Sequence, residues 1–268
     1  MNASLSDAKT SLRRIGGEAS FAQWSLTRDG RRNWVRLLAL RDRYQGRRAV
    51  IMGNGPSLLR SDLNSLADDV TIVSNAHFLI WKDLSYVPTF LTVEDHLVAE
   101  DRAAELSALE GTVTMFPFEF RPILGEATPS RIYFNLVRLY RPFPQFSTHF
   151  ARRGFWAGTV SFVNLQFAHY LGCAPLILIG FDHSYKVPEA RESGYVIRSD
   201  SEDVNHIHPQ YFGPGYRWHD PNVTRMEAAY ECARAALDER QVRVVNATAG
   251  GQLEVFQRAD PDRLGEIR

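Results

Sequence analysis

Apolar residues along this chain gather into short runs, and each run ends in a small or polar residue. Ala49–Met52 leads into Gly53-Asn54-Gly55-Pro56-Ser57, and Val70-Thr71-Ile72-Val73 into Ser74-Asn75-Ala76-His77. Thr89–Val93 leads into Glu94-Asp95-His96, Pro175–Ile179 into Gly180-Phe181-Asp182-His183, and Val242–Val245 into Asn246-Ala247-Thr248. Gly111–Phe116 is a further strand candidate. Runs of four to six apolar residues bounded by turn formers predict buried strands. Between them lie segments of helical period: 97–110, 158–171 (Phe162, Leu165, Ala168, Leu171) and 222–240. Strands alternating with helices predict an α/β, doubly wound, Rossmann-like fold with a mostly parallel sheet.

Two regions break the alternation. Residues 1–46 are helical in pattern, with Trp34, Leu37, Leu38 and Leu40 forming a rough apolar face. They read as a peripheral N-terminal extension whose removal leaves the site intact. Residues 118–156 are rich in proline and aromatic residues and have no clear period. They read as a loop-rich insertion, a candidate lid, within the main domain at 47–268. Residues 186–221 form a long polar loop carrying histidines and aromatics.

Charge changes this picture in one place. The chain's formal net charge is zero, which argues against bulk attraction to nucleic acid. Yet eleven basic residues stand against four acidic ones up to Arg48. The arm is thus either a solvated helical face or a candidate for peripheral membrane or partner contact. No apolar run approaches about 20 residues, and no basic-then-apolar leader begins the chain, so a cytoplasmic protein is expected. Cys173 and Cys232 read as buried free thiols. The sequence leaves oligomeric state open, a homo-oligomer included.

In an open parallel sheet, ligands lie outside the carboxyl ends of the strands. The polar residues listed above all fall at that edge, which predicts a nucleotide-sized crevice. Gly53, Asn54, Gly55 and Ser57 suit a phosphate cradle or, equally, a tight strand-to-helix turn. Asp182 could hold a ribose hydroxyl or a metal, act as a base, or cap a turn. Thr159 and Ser161 open a helix facing the same crevice. His206, His208 and His219 share one loop, but no cysteine pattern completes a zinc set, so no metal site is expected. His219, at a loop-to-helix junction, is a candidate general base or a structural hydrogen-bonding residue.

Taken together, these motifs resemble two related groups. Met52–Leu58, Asn75, the Gly158-Thr159 helix start, Gly180-Phe181-Asp182 and His219 resemble bacterial sialyltransferases of the Campylobacter type. Gly158-Thr159-Val160, Gly180–Tyr185, Tyr211-Phe212-Gly213 and Asn246–Gly251 are more similar still to the 6-hydroxymethylpterin diphosphokinase MptE-like family (DUF115), over about residues 47–264. The first resemblance implies a CMP-activated nonulosonic acid donor, a glycan or small-molecule acceptor and a role in surface polysaccharide or glycoconjugate assembly. In that reading Asn54 and Asn75 hold phosphate and ribose. Thr159 and Ser161 meet the nucleotide or sugar carboxylate, Tyr185 or Tyr195 lies near the phosphate, and His219 is the base, with no obligatory metal. The second resemblance implies pyrophosphoryl transfer from ATP to a pterin alcohol, with Mg²⁺ on carboxylates such as Asp182 or Asp95. A non-catalytic nucleotide-binding protein of the same fold is the third reading.

Overall fold

In the computed structural model, which describes residues 18–188, 192 and 194–267, the apolar runs become a parallel sheet. In chain order its early strands are β1 (Ala49–Met52), β2 (Val70–Ser74), β3 (Phe90–Thr92), β4 (Val113–Pro117) and β5 (Arg131–Phe134). Two short pairs stand apart from the sheet: parallel β6 (Leu136–Val137) with β7 (Gly154–Phe155), and antiparallel β9 (Val196–Arg198) with β10 (Arg217–His219). The remaining sheet strands are β8 (Leu176–Ile179), β11 (Val244–Asn246) and β12 (Gln257–Arg258), and the spatial order is β12-β11-β8-β1-β2-β3-β4-β5. From β1 the chain winds outward to β5, then returns to lay β8 against the other side of β1. The doubly wound expectation holds, with the topological switch point between β1 and β8.

β1 and β8 are buried along their whole length, as strands covered on both faces must be. Side chains alternate between two core layers. Ile51, Ile72 and Leu178 join one layer; Val50, Met52, Ile177 and Ile179 join the other. Helices α3 (Val160–Tyr170) and α4 (Val223–Asp238) cover the first face, α3 with nearly every residue buried. The second is covered by short turns, among them Pro56–Arg60, Leu63–Leu66 and α2 (His96–Asp101). The helix expected over 97–110 breaks at Arg102 and resumes as Ala103–Ser107, because Arg102 leaves helical geometry (φ −122°).

Three expectations need correction. The N-terminal segment is not peripheral over its described part. A helical stretch at 18–25 sends Phe21 and Trp24 into one core layer, and α1 (Arg28–Ala39) sends Leu37, followed by Leu40, into the other. Leu38, by contrast, points outward. Between the two layers, the buried Asn33 side chain donates to the Tyr133 carbonyl (2.8 Å) and accepts its N–H (2.8 Å). It thereby stands in for a neighbouring strand along the open edge of β5, which would otherwise expose pairing groups. The basic residues Lys9, Arg13 and Arg14 lie outside the described residues. Second, residues 118–156 do more than overlie the sheet. They supply edge strand β5 and bury Phe134, Phe150 and Phe155 in the core. Third, the C-terminal tail adds the eighth strand, β12, too short and polar to register as an apolar run. Cys173 is buried and Cys232 half-buried, both free. No helix among the described residues is long and apolar enough to cross a membrane.

Asn33→Ala leaves both Tyr133 backbone groups unpaired at a buried edge, and is expected to cost about 1–3 kcal/mol per orphaned group in urea unfolding. Removing residues 1–45 also strips Trp24 and Leu37 from the two layers. A folded product with cooperative unfolding would show that the segment is dispensable; we expect none.

Candidate active site

The carboxyl ends of β8, β1, β2 and β3 open onto a cleft of about 550 Å³. Its lining includes Gly53, Asn54, Gly55, Asn75, Asp95, Thr159, Ser161, Asp182, Tyr185 and His219, and the parallel sheet is what brings these sequence-distant residues together. Ser57 lies beneath, bonded to Asp182. Asn246 and Thr248 do not line the cleft. Their side chains hold neighbouring loops instead, Asn246 donating to the Leu253 carbonyl and Thr248 accepting the Phe181 N–H.

The glycine turn after β1 differs from a phosphate cradle. Four of its N–H groups are bonded within the protein: Gly53 donates to the Ile179 carbonyl, Gly55 to Gly180, Leu58 to Gly55, and Ser57 to the Asp182 carboxylate. The Ser57 hydroxyl adds a 2.6 Å bond to the same Asp182 oxygen. Asp182 thus occupies the anion position at the start of the Pro56–Arg60 turn. The glycines serve close approach: a Cβ at Gly53 would stand 2.3 Å from the Gly180 carbonyl oxygen, and one at Gly55 1.9 Å from the Asp182 carboxylate.

What the turn offers the cleft is an acceptor. The Asn54 amide donates through Nδ2 to the Ser74 carbonyl and hydroxyl, which fixes its orientation and leaves Oδ1 buried and unpartnered. Asn75, at φ 55°, follows the next strand, and its Oδ1 is likewise buried and unpartnered. Two acceptor oxygens suit hydroxyl donors better than a phosphate, which itself only accepts.

One strand further, Asp95 follows β3 and accepts a 2.8 Å hydrogen bond from His219 Nδ1. His219 arrives on β10, at the end of the 186–221 loop. That loop is pinned to α2 and the turn after it. Arg217 forks onto Asp101 and Glu100, while the buried Arg102 donates to the Gln210 and Tyr211 carbonyls beneath the Tyr216 ring. The hydrogen bond to Asp95, followed by its charge, raises the His219 pKa against the lowering effect of burial. Burial pushes the Asp95 carboxyl upward, but the His219 hydrogen bond and charge and the Leu97 N–H outweigh it and hold the group below the usual carboxylate range. An imidazole bonded to a carboxylate through Nδ1 keeps its proton there and leaves Nε2 as the basic atom. The pair stabilises the fold most between about pH 4 and pH 6.5, the ordinary carboxylate and imidazole values. Its contribution is lost on acidification through the depressed Asp95 value and on alkalinisation through the raised His219 value.

The other loop histidines are structural: His206 bonds Asp203 (2.7 Å) and stacks on Tyr211, and His208 accepts the Gln210 N–H. Buried His183 lies 3.6 Å from Glu227, with burial pushing its pKa down. The Thr159 hydroxyl caps α3 through the Ser161 N–H. Tyr185 packs its hydroxyl on the Met226 sulfur. Asp182 is bonded to Ser57 and His219 to Asp95; β8 and β3, which Asp182 and Asp95 follow, are separated by β1 and β2 in the sheet. The described acidic and imidazole groups that do converge are Asp95, His96 and His219, with ligand atoms within 4.8 Å of one another. One carboxylate and two imidazoles suit zinc or iron better than Mg²⁺, which prefers an octahedron of oxygens.

Sequence reasoning missed His96, the buried Glu94 with its partner Arg138 (3.0 Å, itself bonded to Glu119), Trp156 and Arg225. Glu94 and His96 flank the chosen Asp95 and were within reach. Arg138 and Trp156 come from the aperiodic 118–156 stretch, which carries no pattern to place them.

Fold and cleft define a doubly wound parallel α/β protein with its polar site at the switch-point edge. The model of the 6-hydroxymethylpterin diphosphokinase MptE-like family matches residues 31–188, more than half of the chain, and the chain belongs to that family. The match begins inside α1 and ends before β10, so it starts earlier and stops sooner than the motifs suggested. Among solved structures the fold is similar to the MAf glycosyltransferase from Magnetospirillum magneticum AMB-1, with a TM-score of 0.51 and 14% identity. That likeness covers 89% of this chain and 39% of the other, so this chain spans well under half of that protein. No curated protein matches the sequence.

Asp95→Asn should lower the His219 titration midpoint, read by NMR from its imidazole carbon-bound protons. An unmoved midpoint would mean that the 2.8 Å bond does not form in solution.

Proposed function

We propose that this protein is a glycosyltransferase-like enzyme that transfers a sugar from a CMP-activated, nonulosonic-acid-type donor to a hydroxyl acceptor. The observation that carries the reading is the Asp95–His219 pair on the cleft, one strand beyond two unpartnered amide oxygens. The oxygens of Asn54 and Asn75 accept from the ribose hydroxyls, which lays the nucleotide across β1 and β2. The reacting end then lies toward β3. His219 Nε2 takes the proton of the acceptor hydroxyl as its oxygen bonds to the anomeric carbon. The bond from that carbon to the phosphate oxygen breaks, and CMP departs with the electron pair. Asp95 holds the imidazole and stabilises the imidazolium that forms. The acceptor is a glycan or small molecule, and surface glycoconjugate assembly in the cytoplasm is the setting that fits such chemistry.

A pyrophosphoryl transferase using ATP and Mg²⁺ is the second reading, favoured by the family's description and by the convergence of Asp95, His96 and His219. Against it stand the poor match of that donor set to Mg²⁺, the engagement of Asp182 with Ser57, and a glycine turn whose Gly53, Gly55 and Ser57 N–H groups are already bonded.

Thermal-shift measurements separate the two. Stabilisation of about 2.7 kcal/mol at a hundredfold excess over Kd is expected with CMP or CTP in the absence of Mg²⁺. Stabilisation only by ATP with Mg²⁺ would reverse the order of the readings. His219→Ala should leave nucleotide binding intact while transfer falls by roughly 10²–10⁴-fold; unchanged turnover would remove His219 from the mechanism.

A further inference from the structure

The cleft contains a cation that the chemistry above does not use. Arg225 lies in the first turn of α4, exposed and lining the cleft, with its guanidinium carbon 5.5 Å from the centre of the Trp156 ring. The same indole also meets the Arg138 guanidinium at 5.9 Å. The two arginines differ in one respect. Arg138 is neutralised by Glu94 and Glu119, whereas Arg225 has no acidic partner among the described residues. Glu227, two residues further along α4, lies 3.6 Å from His183.

The chain makes room for this side chain. Gly158 adopts φ +89°, and a Cβ there would lie 2.8 Å from Arg225 Cδ. Any other residue would both strain that backbone and push the arginine off the indole. A guanidinium placed over an aromatic ring has already lost part of its rotamer freedom, so it binds an anion at smaller entropic cost. Its fork of N–H donors matches two oxygens of a carboxylate or phosphate. The positive end of α3, capped by Thr159, opens onto the same mouth and adds to the attraction.

We infer that Arg225, seated on Trp156 above Gly158, forms an oxyanion subsite of the cleft that selects acidic substrates, taking a sugar carboxylate or a phosphate. With the donor proposed above, which this inference deepens, the carboxylate of the sugar is the group that would fill it. A phosphate of any nucleotide is the other source of the same chemistry.

Arginine side-chain ¹H–¹⁵N spectra of the full chain test the subsite directly. The Arg225 Nε resonance is identified by its loss in Arg225→Met. It is then titrated with free N-acetylneuraminate and, separately, with inorganic phosphate. A saturable shift with either supports the subsite, and the tighter of the two names the source. No saturable shift with either overturns it. Arg225→Met should weaken the effective anion by about 10–100-fold, the range for a charged hydrogen bond. Arg225→Lys should recover only part of that affinity, since a point charge replaces the fork; full recovery would overturn the bidentate geometry. The readout needs no transfer activity. If neither CMP nor CTP binds, the proposed function fails while the anion titration still reports on Arg225.

Discussion

The site rests on how closely the loops after β1 and β8 approach each other. At the switch point these loops diverge toward opposite faces of the sheet, and that divergence creates the cleft. Here they are locked before they part. Gly53 lies against the Gly180 carbonyl, Gly55 against Asp182, and the Asp182 carboxylate closes the junction on the Ser57 hydroxyl and N–H. The lock uses the glycines, the N–H groups and the helix-start charge that a phosphate would otherwise have used. A half-buried carboxylate that takes a hydroxyl at 2.6 Å and an N–H at 3.3 Å already fills the turn's positive end, which then gains little from an incoming anion. The negative charge of a ligand must therefore be met elsewhere in the cleft.

Elsewhere means the rims. The floor offers acceptors, at Asn54 and Asn75, and the β3 side offers a carboxylate–imidazole pair. The positive charge without an acidic partner among the described residues stands at Arg225, over the Trp156 ring that Arg138 also meets beside Glu94. A neutral ligand would leave Arg225 without a counter-charge, and a ligand lacking hydroxyls would leave two buried oxygens unsatisfied, at about 1–3 kcal/mol each.

Most of this edge could be read from the residue pattern, for a topological reason. A parallel sheet carries every strand's carboxyl end to one side, so residues following apolar runs must converge whatever their separation in sequence. Asn54, Asn75, Asp95 and Asp182 were found in that way, and His219 by its place at a loop-to-helix junction. What the pattern could not convey was direction. Whether the N–H groups of Gly53-Asn54-Gly55 face a ligand or the neighbouring loop depends on where β8 lies, and strand order is a tertiary property. Asn33 illustrates the same limit. Within α1 it looks like a poor helix former, yet its amide completes the edge of a strand a hundred residues away. Arg138 and Trp156 were invisible because their segment follows no period at all.

The long loop before α4 makes the position of His219 depend on residues far from the cleft. His219 belongs to a three-residue strand paired only with β9, and such a two-stranded ribbon has marginal stability alone. Its position comes from Arg217 on Asp101 and Glu100, and from buried Arg102 spanning to the Gln210 and Tyr211 carbonyls. Both anchors sit on or just after α2, the helix whose N-cap is Asp95. The carboxylate that orients the imidazole and the groups that deliver it therefore move as one unit. A distortion of α2 would displace Asp95 and the loop together, preserving their 2.8 Å bond while shifting the pair relative to Asn54 and Asn75 on β1 and β2. The separation between His219 and the Asn54 and Asn75 amides is then set by the packing of α2 on the sheet through Val98 and Ala99, both buried, more than by the histidine loop itself.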